Sequence, residues 1–150
     1  MEVTCSRHIN APAEKVWGLM TDLESFPETV GGIESVERLD DGSGFGPGTT
    51  WRETRTLLGR TATEDMWVTD FDPGRSYVVE ANSHGTGYRT SQRIESEGEG
   101  SLLTMTFSGT PTGTVSKIMS ATIGRLFAKA TKKAFEQDLA DIAAAAEAAR

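Results

Sequence analysis

The chain has 150 residues and a formal charge of −7, with 37% hydrophobic and 25% charged residues, a length suited to one domain with a real core (1–150) rather than two. The acidic balance argues against a general nucleic-acid binder, which needs a basic face to displace counterions from phosphates, and against anionic membrane surfaces. One cysteine and two histidines exclude an internal disulfide and cannot complete a four-ligand zinc site from Cys and His alone.

Residues 3–9 alternate small or apolar with polar side chains and read as a strand. Pro12 is expected as the first residue of a helix over 12–22, where its missing N–H has no helical partner and Glu14 suits the dipole. Val16, Trp17, Met20 and Leu23 follow at helical spacing. A second short helical segment covers 23–30, broken by Pro27 and closed by Gly31-Gly32. The period then changes. Strands are predicted over 33–39, 49–58, 60–71, 75–82, 86–95 and 101–108, divided by short turn signals such as Asp72-Pro73-Gly74. Spacings this short favour consecutive hairpins, hence an antiparallel meander. From 115 to 146 the helical period returns, with Met119, Ile123, Phe127, Phe135, Leu139 and Ile142 on one stripe. The Ala-rich end is read as helix-forming composition. No apolar run reaches the about 18 residues needed to cross a bilayer, and no basic-then-apolar signal pattern is present, so a cytoplasmic protein without stable membrane insertion is expected.

Strand, two short helices, six strands and a long helix describe an α+β chain whose curved sheet is incompletely filled by the helix, leaving room for a cavity. Three segments carry a resemblance: Ile9-Asn10-Ala11-Pro12-Ala13-Glu14-Lys15-Val16-Trp17, Asp22-Leu23-Glu24-Ser25-Phe26-Pro27, and Gly31-Gly32-Ile33-Glu34-Ser35-Val36. They are similar to the opening of the START/Bet v 1-like superfamily (SRPBCC), in its polyketide cyclase/dehydrase branch. Val68-Thr69-Asp70-Phe71-Asp72-Pro73-Gly74-Arg75 resembles the Asp-Pro turn that recurs mid-domain in that group. The resemblance covers essentially the whole chain. It implies a helix-grip fold, in which a seven-stranded curved antiparallel sheet wraps around a long C-terminal helix and encloses a pocket for an apolar or amphipathic molecule. Its motifs are structural, so function has to be argued from the pocket.

Alternation along each strand nominates the pocket wall. Trp51, Glu53, Arg55 and Leu57 share one face; Glu64 and Met66 share another with Ala62 and Val68. Trp67 and Phe71 lie on the opposite face of that strand, which leaves its inward side open. Val3, Cys5, Arg7 and Ile9 group on the first strand, Tyr88, Thr90, Gln92 and Ile94 on a later one, and Leu103, Met105 and Phe107 on the last. The expected ligand-binding set is therefore Arg7, Trp51, Glu53, Arg55, Glu64, Met66, Tyr88, Gln92, Met105 and Phe107, with Met119, Ile123 and Phe127 from the helix. Charges there must be paired or solvated, so Glu53, Arg55 and Glu64 form either a structural ion cluster or a polar anchor.

Other chemistry is weakly signalled. The run Gly42-Ser43-Gly44-Phe45-Gly46-Pro47-Gly48 lacks a phosphate-loop ending and reads as a hairpin connection. Cys5 reads as a small buried side chain and His84 as a solvated turn residue. No metal site and no cofactor are expected. Trp17 and Phe26, near the Gly31-Gly32 hinge, read as core or as part of a lid. Three functions stay open. One is a carrier or sensor for a hydrophobic ligand (lipid, isoprenoid or polyketide-like). A second is a cyclase/dehydratase in which Arg55 holds an enolate while Glu53, Glu64 or Tyr88 move protons. The third is a protein-interaction module with a vestigial cavity. Monomer and homodimer are both compatible with the sequence, and Arg55→Leu is expected to weaken ligand uptake with little loss of fold.

Overall fold

Strand β1 (Glu2–Ile9) alternates as the sequence requires: Val3, Cys5 and Ile9 are buried, while Thr4 and Ser6 meet Thr106 and Thr104 across the outer face. The computed structural model describes residues 2–57, 59–83, 86–111 and 121–148. Helix α1 (Ala13–Met20) follows, then a 3₁₀ turn (Leu23–Ser25) and the single turn α2 (Phe26–Thr29). Pro12 is the N-cap of α1, with extended backbone, rather than its first helical residue. A meander comes next: β2 (Ile33–Arg38), β3 (Thr50–Leu57), β4 (Arg60–Asp72), β5 (Ser76–Ser83), β6 (Thr86–Glu97) and β7 (Gly100–Pro111). Helix α3 (Ala121–Ala148) ends the described chain.

The seven strands form one antiparallel sheet in the order β1-β7-β6-β5-β4-β3-β2, so the first strand closes against the last. This is the helix-grip fold, with α3 gripped along the inner face. Turn chemistry sets the hairpins. Gly74, at φ 79°, supplies the left-handed residue that lets Arg75 N–H bond back to the Asp72 carbonyl.

A β-bulge settles which side of β4 faces inward. The register with β5 slips between Val68 and Asp70. An extra residue inverts the alternation, so Ala62, Glu64, Met66 and Val68 face inward before it and Phe71 faces inward after it. Phe71 therefore reaches the interior after the bulge, while Trp67, before it, stays on the outer face.

The core is continuous along β1, the inner sheet face, α1 and the second half of α3. Ala143 and Ala146 are fully buried there. The alanine run is thus more than a helix-forming composition: its small side chains let α3 lie close to α1 and β1. Ser101, also fully buried, donates its hydroxyl to the Ala11 carbonyl and ties β7 to the entry of α1. No described helix is long and apolar enough to cross a membrane.

Candidate functional site

Beyond that packed region the grip opens. A partly enclosed cavity of about 710 Å³ lies between α3 and the inner faces of β3 to β7, with Leu19, Phe26, Thr29 and Val30 also in its lining. Trp51, Glu53 and Arg55 of β3, Glu64 and Met66 of β4, Tyr88 and Gln92 of β6, and Met105 and Phe107 of β7, nominated by alternation, all line it, as does Phe127 from the stripe of α3. Arg7 does not. It sits on the outermost strand, where its side chain reaches solvent, and it takes no part in the cavity wall. Met119 lies outside the described residues, as does the side chain of Ile123, and so does His84.

The polar centre is built around Arg55. Its guanidinium Nη1 donates to both carboxylate oxygens of Asp138, at 2.9 and 3.2 Å, and Nε donates to Glu53 at 3.5 Å. The Trp51 indole N–H donates to the other oxygen of Glu53 at 3.3 Å. Glu53 and Asp138 are 5% and 4% exposed, so both carboxylates depend on Arg55 for compensation. Burial pushes the Asp138 carboxyl above its ordinary value, an effect Arg55 only partly offsets. Burial works against the charge on Arg55 as well, but Asp138 and Glu53 outweigh it and hold the guanidinium firmly protonated. Arg55→Leu would strand two buried carboxylates, typically a loss of about 3–5 kcal/mol. The expectation that this variant spares the fold is therefore withdrawn.

Two features of the chain make this centre fit. Gly32 lies directly over it: a Cβ there would come within 3.4 Å of Arg55 Nη1 and 3.8 Å of Asp138. Gly31 N–H bonds to Asp141 at 3.0 Å, tying the α2–β2 connection to α3. Gly31-Gly32 thus allows close approach rather than free hinging.

Sequence reasoning missed several residues of the wall. Asp138 follows Thr131 by seven residues and Phe135 by three, so it shares the inward stripe of α3; a carboxylate on an apolar stripe was the available signal. Thr131 is 4% exposed, lines the cavity, and its hydroxyl has no hydrogen-bond partner among the described residues. Tyr77 is buried, and its hydroxyl donates to the Met20 carbonyl at 2.8 Å. Burial, reinforced by Glu53, drives its phenol far above the ordinary range, so it serves as a fixed donor and not as a proton carrier. The Cys5 thiol is likewise pushed up, first by burial and then by Glu136 and Asp138, which makes it a poor nucleophile.

One end of the inner face is plugged by rings. Phe45, carried in by the glycine-rich loop, lies 4.7 Å from Tyr77, 5.8 Å from Trp51, 6.3 Å from Phe26 and 6.4 Å from Phe71. Trp17 packs behind them on Phe71 and Tyr77, as core, while Phe26 also lines the cavity. The loop is a hairpin connection, but it also delivers a stopper. Its anchor is Arg38, which binds Glu24, Asp40 and the Gly44 carbonyl. At the other end Phe107 stacks on Tyr88 and meets Phe135 edge-on, and these rings border open space. Among the described residues no group of three or more His, Cys, Asp or Glu is placed to hold a metal.

The architecture is shared with solved structures of low sequence identity, which establish the fold alone. TTHA0849 from Thermus thermophilus superposes with a TM-score of 0.82 at 22% identity, covering 99% of both chains. A START superfamily protein from Mycobacterium smegmatis gives 0.79 at 15% identity, again over 99% of each. The Zhui aromatase/cyclase from a Streptomyces species gives 0.78 at 18% identity, over 98% of this chain and 93% of that one. None of the curated proteins matches the chain. The family described as polyketide cyclase/dehydrase and lipid transport matches residues 1–147, and with this match joined to the helix-grip fold, the chain belongs to that family within the START/Bet v 1 superfamily.

Proposed function

We propose that the protein binds one hydrophobic or amphipathic small molecule in the cavity between sheet and α3, as a carrier or sensor. The observation that carries this reading is a void of about 710 Å³ walled mainly by apolar side chains, with a smaller set of polar ones that includes Arg55 and Thr131. That is the size and composition of a small-molecule site, in which apolar walls supply affinity and a few polar groups fix orientation. A cavity this large also argues against the vestigial reading.

The cyclase reading draws support from Arg55 in the wall with Glu64 and Tyr88, and from the fold shared with an aromatase/cyclase. Its weakness is electrostatic. Arg55 is already engaged by two carboxylates, so an enolate brought to it meets a formally negative centre. The geometry therefore favours binding over turnover. Native mass spectrometry of protein purified from its own host tests this directly. Wild type is expected to retain one apolar compound, and Ala134→Trp, which fills the cavity from α3, is expected to lose it. Equal retention by both proteins, or failure of wild type to take up any apolar molecule, would refute the proposal. Turnover of a model poly-ketone, abolished by Glu53→Gln together with Glu64→Gln, would establish the catalytic alternative instead.

A further inference from the structure

We infer that the ligand is uncharged and presents a hydroxyl or carbonyl group to Thr131, and that the cavity discriminates against carboxylates and other anions. This deepens the binding proposal and rests on it. Two independent observations lead here.

The first is the orphaned hydroxyl. Thr131 Oγ1 is buried, lines the cavity and has no hydrogen-bond partner among the described residues. A threonine in mid-helix ordinarily returns its hydroxyl to a carbonyl one turn back; this one does not. Leaving a buried polar group unmade is costly, and valine would fill the same volume without that cost. The position thus sacrifices stability in the empty protein, and a ligand atom recovers it. A hydroxyl both donates and accepts, so it matches an alcohol, a phenol or a ketone equally well.

The second is the charge of the wall. Among the described lining residues, the cations are Arg55 and Arg60 and the carboxylates are Glu53, Glu64, Glu80 and Asp138. Arg60 is exposed at the β3–β4 turn. Arg55, half-buried, is bound by Glu53 and Asp138. A ligand anion entering this space would lose its hydration and meet an excess of negative charge. Asp138 lies seven residues after Thr131 on one helix, about 10 Å along the axis at 1.5 Å per residue, so this field reaches the neighbourhood of the hydroxyl.

The test uses full-length protein loaded with Nile red, a neutral apolar dye, displaced at neutral pH by decanol, decylammonium and decanoate. These probes share one chain and differ in head group. Decanol is expected to bind tightest and decanoate weakest, with decylammonium ahead of decanoate by about tenfold or more, which separates the sign of charge from hydrophobicity alone. Thr131→Val is expected to weaken decanol by about three- to tenfold, the loss of one neutral hydrogen bond, while raising the melting temperature of the empty protein by a few degrees, roughly the effect of one removed unsatisfied group. Those opposite movements would not arise from a hydroxyl with a purely structural role. Decanoate binding as tightly as decylammonium, or decanol affinity unchanged in Thr131→Val, overturns the inference while leaving the binding proposal intact. Failure of Nile red to bind at all removes both.

Discussion

The two ends of the sheet's inner face are made from the same materials and finished differently. At the end near α1, Trp17, Phe26, Phe45, Trp51, Phe71 and Tyr77 pack on one another, and Trp17, Phe45 and Phe71 take no part in the cavity wall. At the end near the first half of α3, Phe107, Phe127 and Phe135 line a void. Aromatic content alone therefore does not decide whether a curved sheet is filled. What decides it is the loop between β2 and β3, which carries Phe45 inward, and the bulge in β4, which turns Phe71 inward to meet it. One end supplies stability, and the other exchanges stability for space.

Truncating a ring at each end should separate these roles most strongly. Tyr77→Ala removes a buried ring and its bond to the Met20 carbonyl and should cost about 3–5 kcal/mol in urea denaturation. Phe135→Ala, whose ring already borders empty space, should cost only about 1 kcal/mol, because few packed neighbours lose contact. Equal costs at both positions would erase the distinction.

A smaller effect distinguishes the ends by pH. Asp138 has its folded pKa raised by burial, so its contribution is fully present below the ordinary carboxylate value near 3.8 and is lost as pH rises through the folded value. Asp40, in the loop that carries Phe45, has its folded pKa lowered, chiefly by the Thr50 backbone N–H and also by Gly42 and Arg38. Its contribution is present above the ordinary value and disappears as pH falls through the folded one. Urea midpoints across pH should show the advantage of wild type over Asp138→Asn shrinking from acid toward neutral pH, and its advantage over Asp40→Asn growing over the acid range. Parallel profiles would contradict the assigned environments.

The fold was legible because its signals are local. Pro12, the Asp72-Pro73-Gly74 turn and the switch between periods of two and 3.6 need no tertiary information. Most of the cavity wall followed by alternation, since the inward parity holds along each strand until a bulge interrupts it. Three things escaped for physical reasons. The bulge near Thr69 inverts parity without any unusual residue, so Phe71 read as outward. Phe45 sits among glycines whose conformations depend on Arg38 and on Asp40, and nothing local announces which way its ring will point. Asp138 pairs with Arg55 across 83 positions of sequence, a partnership invisible until the helix is laid on the sheet. Arg7 failed in the opposite sense: its parity was right, but an outermost strand lets a long side chain escape to solvent.

The claim beneath all of this is that space remains at one end of the grip and not at the other. A crystal structure of ligand-free protein under xenon pressure measures it most directly, since dry apolar cavities take up the gas. Xenon density is expected against Phe107 and Phe135, with none among Trp17, Phe45 and Phe71. Xenon lodged among the latter rings, or a collapsed and empty-handed space beside Phe135, would contradict the account.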